Sequence, residues 1–188
     1  MRGRKFDNSL ILGCIKCEAC KHSETCVLIC APLTRKLTPF PTSFWLACPY
    51  LMRIAGELES GQGVKELERW LVNHNKFKEW RGYNFLHQQV RLSLLKKLKL
   101  DILNKKNFLP RFKPELYKRL RRGGLGGIDY LNNNKIYVKC LHLQLASLIA
   151  LNYHPGAEWL RDNIAKIITR QEQDQCLMII KKIKSLRW

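Results

Sequence analysis

A chain of 188 residues, 46% hydrophobic and 26% charged, has the length and apolar content for one domain with its own core, which excludes disorder over most of it. The two unusual quantities are a net charge of +19 and eight cysteines. The longest apolar run, residues 143–151, contains Gln144 and Ser147 and falls far short of the ~20 residues of a membrane-spanning helix. The apolar stretch at 10–12 is likewise too short for an export core, so a cytosolic protein with no membrane partner is expected. Thiols stay reduced there, and clustered cysteines then bind metal or do chemistry more often than they form disulfides.

In chain order, a basic arm (1–13) precedes a segment dense in cysteine: Cys14, Cys17, Cys20, Cys26 and Cys30. CVLICAPL reads as a short strand ending at Pro32, and Pro39 and Pro41 forbid regular helix in the turn-rich stretch that follows. Pro49 suits a first helical turn, with Cys48 as N-cap, Leu51, Ile54, Ala55 and Leu58 as the apolar face, and Ser60-Gly61 as the stop. Helices are expected over 64–72 and 77–103, the second with Phe85, Leu86, Val90, Leu94, Leu98 and Ile102 as its buried face.

Residues 104–127 form a basic, breaker-rich connection in which PELYKRLRR fits a turn or two of helix before glycines 123, 124, 126 and 127. A turn at 132–134 and a brief strand are expected next. CLHLQLASLIALN is then a helix apolar almost all round, hence central. His154-Pro155-Gly156 opens a last pair of helices. The fold class is mainly α (α+β with a few short strands). It is a single compact helical domain over 14–170 with a Cys-rich N-terminal segment, and a basic helix at 171–188 packs on it.

Cys14, Cys17 and Cys20 form C-x-x-C-x-x-C, a spacing that lets sulfurs converge as in zinc and iron–sulfur sites. Cys48 and Cys140 fall at helix starts, where free N–H groups favour thiolate. The competing reading is that both are small buried apolar residues. His142 lies two positions beyond Cys140, and in a regular helix the two side chains diverge by about 200°. They can share a ligand only if Cys140 precedes the first full turn. Cys176 reads as packing, and His22 is a lesser candidate ligand.

TPFPTSFWLACPYL, a later GGID and VKCLHLQLA resemble a family known as the domain of unknown function number five hundred and one. The matching runs are Pro39-Phe40-Pro41-Thr42, Cys48-Pro49 and Val138-Lys139-Cys140-Leu141-His142, over roughly residues 17–160. The family's first cysteine falls on Cys20, where the usual Gly and Pro are replaced by Ser23 and Thr25. The resemblance implies that Cys20, Cys48 and Cys140 belong together with His142 nearby. That set suits a four-iron cluster with an open iron, or a zinc site completed by His142. Cys14, Cys17, Cys26 and Cys30 are then additions of this chain that could replace a ligand or hold a second site, and the C-x-x-C-x-x-C spacing makes Cys17 a candidate metal ligand.

Cations crowd 96–122 and the C-terminal tail, with Phe108, Phe112 and Tyr117 among them. Arg111, Lys118, Arg119, Arg121 and Arg122 are the expected nucleic-acid-binding residues, with RNA as partner, against the plainer reading of a solvated basic face. Three functions follow. The first is a metal-centre protein, iron–sulfur ahead of zinc, acting on RNA. The second is an RNA-binding module with structural zinc. The third is a metal-free thiol enzyme using Cys140 or Cys48 with His142 as base.

Overall fold

A computed structural model describes residues 8–16, 24–34, 36–96, 111, 113–129 and 135–168. Three short strands, β1 (Ile11–Lys16), β2 (Thr25–Cys30) and β3 (Phe44–Leu46), form one antiparallel sheet in that order. Among the described residues six helices follow: α1 (Pro49–Ser60), α2 (Gly63–Asn73), α3 (Phe77–Lys96), α4 (Pro114–Arg122), α5 (Leu141–Leu151) and α6 (Ala157–Ile167). The chain is mainly α with a small sheet, as its periodicities indicate.

β3 shows the period of a half-covered strand: Phe44 and Leu46 are buried and Trp45 between them is exposed. Its register sets Leu46 opposite Val27 and Phe44 opposite Ile29. The buried side chains of β2 and β3 join those of α5, the central helix, whose residues Leu141, Leu143, Leu145, Ala146, Leu148 and Ile149 are all buried. α1 covers another side of α5 with Leu51, Ile54 and Ala55, and α2 and α6 add Leu67, Leu71, Leu160 and Ile164. Pro49 opens α1 with Cys48 as N-cap, and Gly61 closes it.

Three expectations are corrected. β1 had no counterpart in the pattern, because as a largely exposed strand it lacks a continuous buried face. No strand forms between 135 and 140; this stretch is held instead by Glu68, whose Oε1 accepts the Val138 N–H at 2.7 Å. The face of α3 is also different. Phe85 is 50% exposed and Leu86 36%, whereas Trp80, Tyr83, Asn84, His87, Gln88, Arg91 and Leu94 are buried. The expected continuation of that helix past 96, the 132–134 turn, and the arm and tail at 1–7 and 169–188 lie outside the described residues.

Candidate functional site

α5 begins at Leu141, with Cys140 as N-cap in extended conformation (φ −163°, ψ 154°). Cys140 therefore does not obey the helical rotation that would turn it away from His142. Both line a cavity of about 420 Å³ whose other walls include Phe44, Leu46, Met52 and Lys139. The first N–H groups of a helix lack intrahelical partners, and here a carboxylate from the end of α1 supplies them. Glu59 Oε1 accepts the N–H of Leu141 at 2.6 Å and of His142 at 3.3 Å, and meets His142 Nδ1 at 3.0 Å. A carboxylate there requires the proton on Nδ1 in the neutral ring, which leaves the Nε2 lone pair for a ligand. Burial raises the Cys140 thiol pKa and the Glu59 charge adds to this, against the Leu143 N–H and Lys139. Without an added cation this thiol keeps its proton at neutral pH and is a poor nucleophile.

Cys48 is fully buried in the core, and its N–H donates to the Cys26 carbonyl at 3.2 Å. It sits at the start of α1, whereas Glu59, which touches the start of α5, sits at the other end. Eleven residues of helix separate them by about 16 Å. No group of three or more His, Cys, Asp or Glu suited to a metal ion occurs among the described residues, so Cys48, Cys140 and His142 do not form one set. Cys14 is exposed on β1, and Cys26 and Cys30 are buried. Burial pushes the Cys30 thiol up to about 12, the mark of a packing cysteine. Cys17, Cys20, His22 and Cys176 lie outside the described residues.

The buried polar face of α3 grips the glycine-rich segment. Arg91 donates to the carbonyls of Gly123, Gly124 (2.6 Å) and Pro41 (2.9 Å). Asn84 Oδ1 accepts the Leu125 N–H at 3.0 Å, while its Nδ2 donates to the Trp80 carbonyl at 2.9 Å. A Cβ at Gly124 would stand 2.5 Å from Asn84 Oδ1, and Gly126 has φ +61°, so side chains are excluded here by contact and by conformation. Lys139 Nζ reaches the Gly126 carbonyl at 3.2 Å from the other side. Neither the grip nor Glu59 is visible in the spacing of apolar residues. Residues 84, 87, 88 and 91 nevertheless repeat at i, i+3, i+4 and i+7, the spacing of a buried face whatever its polarity.

On the far side of the glycine segment lies a second cavity, of about 490 Å³. Lys118, Arg119 and Arg122 of α4 line it together with Arg91, Phe40 and Pro41. Arg122 is engaged by Asp129 at 3.0 Å. Arg121 is turned over the Tyr117 ring, 5.7 Å from its centroid, and neither it nor Arg111 lines the cavity. Three of the five expected nucleic-acid-binding residues are thus gathered.

Residues 16–162 match the model of a family described as Protein of unknown function (DUF501). The chain belongs to the DUF501 family. The stretches that suggested the resemblance meet in space: the DUF501 Phe-Pro-Thr run and the glycines are joined by Arg91, and Lys139 ties the Cys-Leu-His run to the same glycines. The DUF501 Cys48-Pro49 pair, by contrast, starts α1 inside the core. No curated protein and no solved structure matches the chain.

Proposed function

We propose that this DUF501 protein holds a zinc ion on Cys140 and His142 and works on RNA through its basic face. The observation that carries the reading is the Glu59–His142 contact. A metal-binding histidine commonly gives its other ring N–H to a carboxylate, and here the contact aims the remaining nitrogen while Cys140 lines the same cavity. A sulfur-and-imidazole donor set suits zinc better than an iron–sulfur cluster, whose ligands are mostly all-cysteine. Burial of Cys140 gives the metal reading an advantage over the metal-free thiol enzyme, since a divalent cation would stabilise the thiolate that burial alone disfavours. Cys20, implied by the family resemblance, is the proposed third ligand. A position left to water or substrate would let the ion act as a Lewis acid. The net charge of +19 supports a polyanionic partner.

Elemental analysis after anaerobic purification tests this. The expected result is about one zinc per chain in colourless protein, lost in Cys140→Ser, His142→Ala and Cys20→Ser and kept in Cys176→Ser. Brown protein with iron and sulfide would replace zinc by a cluster, and metal-free protein would overturn both. RNA retention should fall steeply between low and moderate salt; a flat response would remove the RNA half of the reading.

A further inference from the structure

Arg91 is a cation 3% exposed, and its hydrogen-bond partners among the described residues are neutral carbonyls. No carboxylate pairs with it among the described residues, and its Nε has no hydrogen-bond partner. Carbonyl oxygens satisfy N–H groups but bring no opposite charge, and buried charges are ordinarily paired. Burial accordingly lowers its pKa to about 10. The cavity that Arg91 lines adds Lys118, Arg119 and Arg122 against Glu115 and Asp129, and Asp129 is already taken by Arg122. Lys118 and Arg119 are exposed and have no carboxylate partner among the described residues. The cavity therefore has a surplus of positive charge with its deepest cation lacking a counter-ion. Its volume of about 490 Å³ is that of a small-molecule site. Phe40, stacked on Trp45 with centroids 6.3 Å apart, contributes an aromatic surface to the same wall.

We infer that this cavity is a binding site for a nucleotide, free or as a unit of RNA, with its phosphate held by Lys118 and Arg119 over Arg91 and its base against Phe40. The phosphate supplies the missing counter-charge, and its oxygens accept charge-assisted hydrogen bonds from the two exposed cations. The aromatic wall distinguishes a nucleotide from bare phosphate, because a base can stack there. The site is independent of the proposed zinc centre and deepens only the RNA half of the preceding reading.

Titration calorimetry of the full-length protein with inorganic phosphate, AMP and a short single-stranded RNA tests the assignment. AMP should bind more tightly than inorganic phosphate. The double variant Lys118→Gln/Arg119→Gln should weaken AMP binding by about tenfold or more, the loss of at least one charge-assisted contact. Arg121→Gln on the same helix should leave AMP binding unchanged. AMP binding with no RNA binding supports a free nucleotide and ends the RNA reading. RNA binding that AMP competes away supports the same site occupied by RNA. Absence of AMP binding overturns the inference, even if RNA is retained, since diffuse charge would then account for it. AMP binding equally sensitive to Arg121→Gln overturns it too, because Arg121 is outside the cavity.

Discussion

α5 and α3 both run through the interior and are buried by opposite means. α5 is apolar from Leu141 to Ile149 except for His142, Gln144 and Ser147, and it faces side chains of the sheet and of α1. α3 turns buried Asn84 and Arg91 to irregular backbone beside the core, and sets His87 among the rings of Phe44 and Tyr83. Backbone without a ladder still requires donors and acceptors, so the helix facing it must be polar. A buried helix is thus fitted to the chemistry of its neighbour, and apolar content reports burial only where that neighbour is itself a core.

The contrast can be broken most forcefully at Arg91. Arg91→Met leaves the Gly123 and Pro41 carbonyls without a donor among the described residues and takes one of two from the Gly124 carbonyl, which keeps the Gly127 N–H. It should cost about 4 kcal/mol, the scale of two buried acceptors left unpaired. Urea unfolding reads the loss; a change under 1 kcal/mol would mean that the grip is dispensable. Leu145→Ala, at a fully buried position of α5, should cost about 3 kcal/mol by cavity formation while leaving metal content and AMP binding intact. A fall in either of those readouts would show that the core and the sites are not separable.

Acid sharpens the comparison further. Burial lowers His87 and His154 to about 3, with the Arg91 charge adding at His87 and His87 adding at His154. His154 accepts the Gly156 N–H on Nδ1 at 2.9 Å, so its Nε2 carries the proton toward Gln144 Oε1 at 2.8 Å. Below the unfolded value of 6.5 the unfolded chain binds these protons and the fold does not. Stability is therefore full above pH 6.5 and drains away as pH falls from 6.5 toward 3, by roughly 1 kcal/mol per histidine at pH 5.5. Urea midpoints unchanged between pH 7 and pH 5.5 would contradict neutral burial. The smallest effect belongs to Phe85→Ala, within about 0.5 kcal/mol because this side chain is 50% exposed. A loss above 2 kcal/mol would restore the apolar face that the spacing of residues 85, 86 and 90 suggested.

These outcomes follow what was legible in the chain. Pro49 and Gly61 marked α1, and the predominantly apolar run marked α5, because each signal is local. The Cys140–His142 pairing was legible as a motif and as a condition, that Cys140 precede the first turn, which its extended backbone meets. Glu59 was not legible. It acts on His142 across 83 positions, and nothing around residue 59 records the distant helix start that it caps. The Cys-Pro pair marks Cys48 as an N-cap, which it is. The structure sets it in the apolar core, a position that the Cys-Pro pair alone could not distinguish from a metal corner.

X-ray absorption at the zinc edge addresses the central claim most directly, because it counts donor atoms around the ion. A mixed shell is expected, with sulfur at about 2.3 Å and nitrogen at about 2.0 Å. Cys140→Ser should remove one sulfur and His142→Ala the nitrogen, or either variant should lose the ion. An unaltered shell in both variants, or protein that never takes up the metal, would contradict the account.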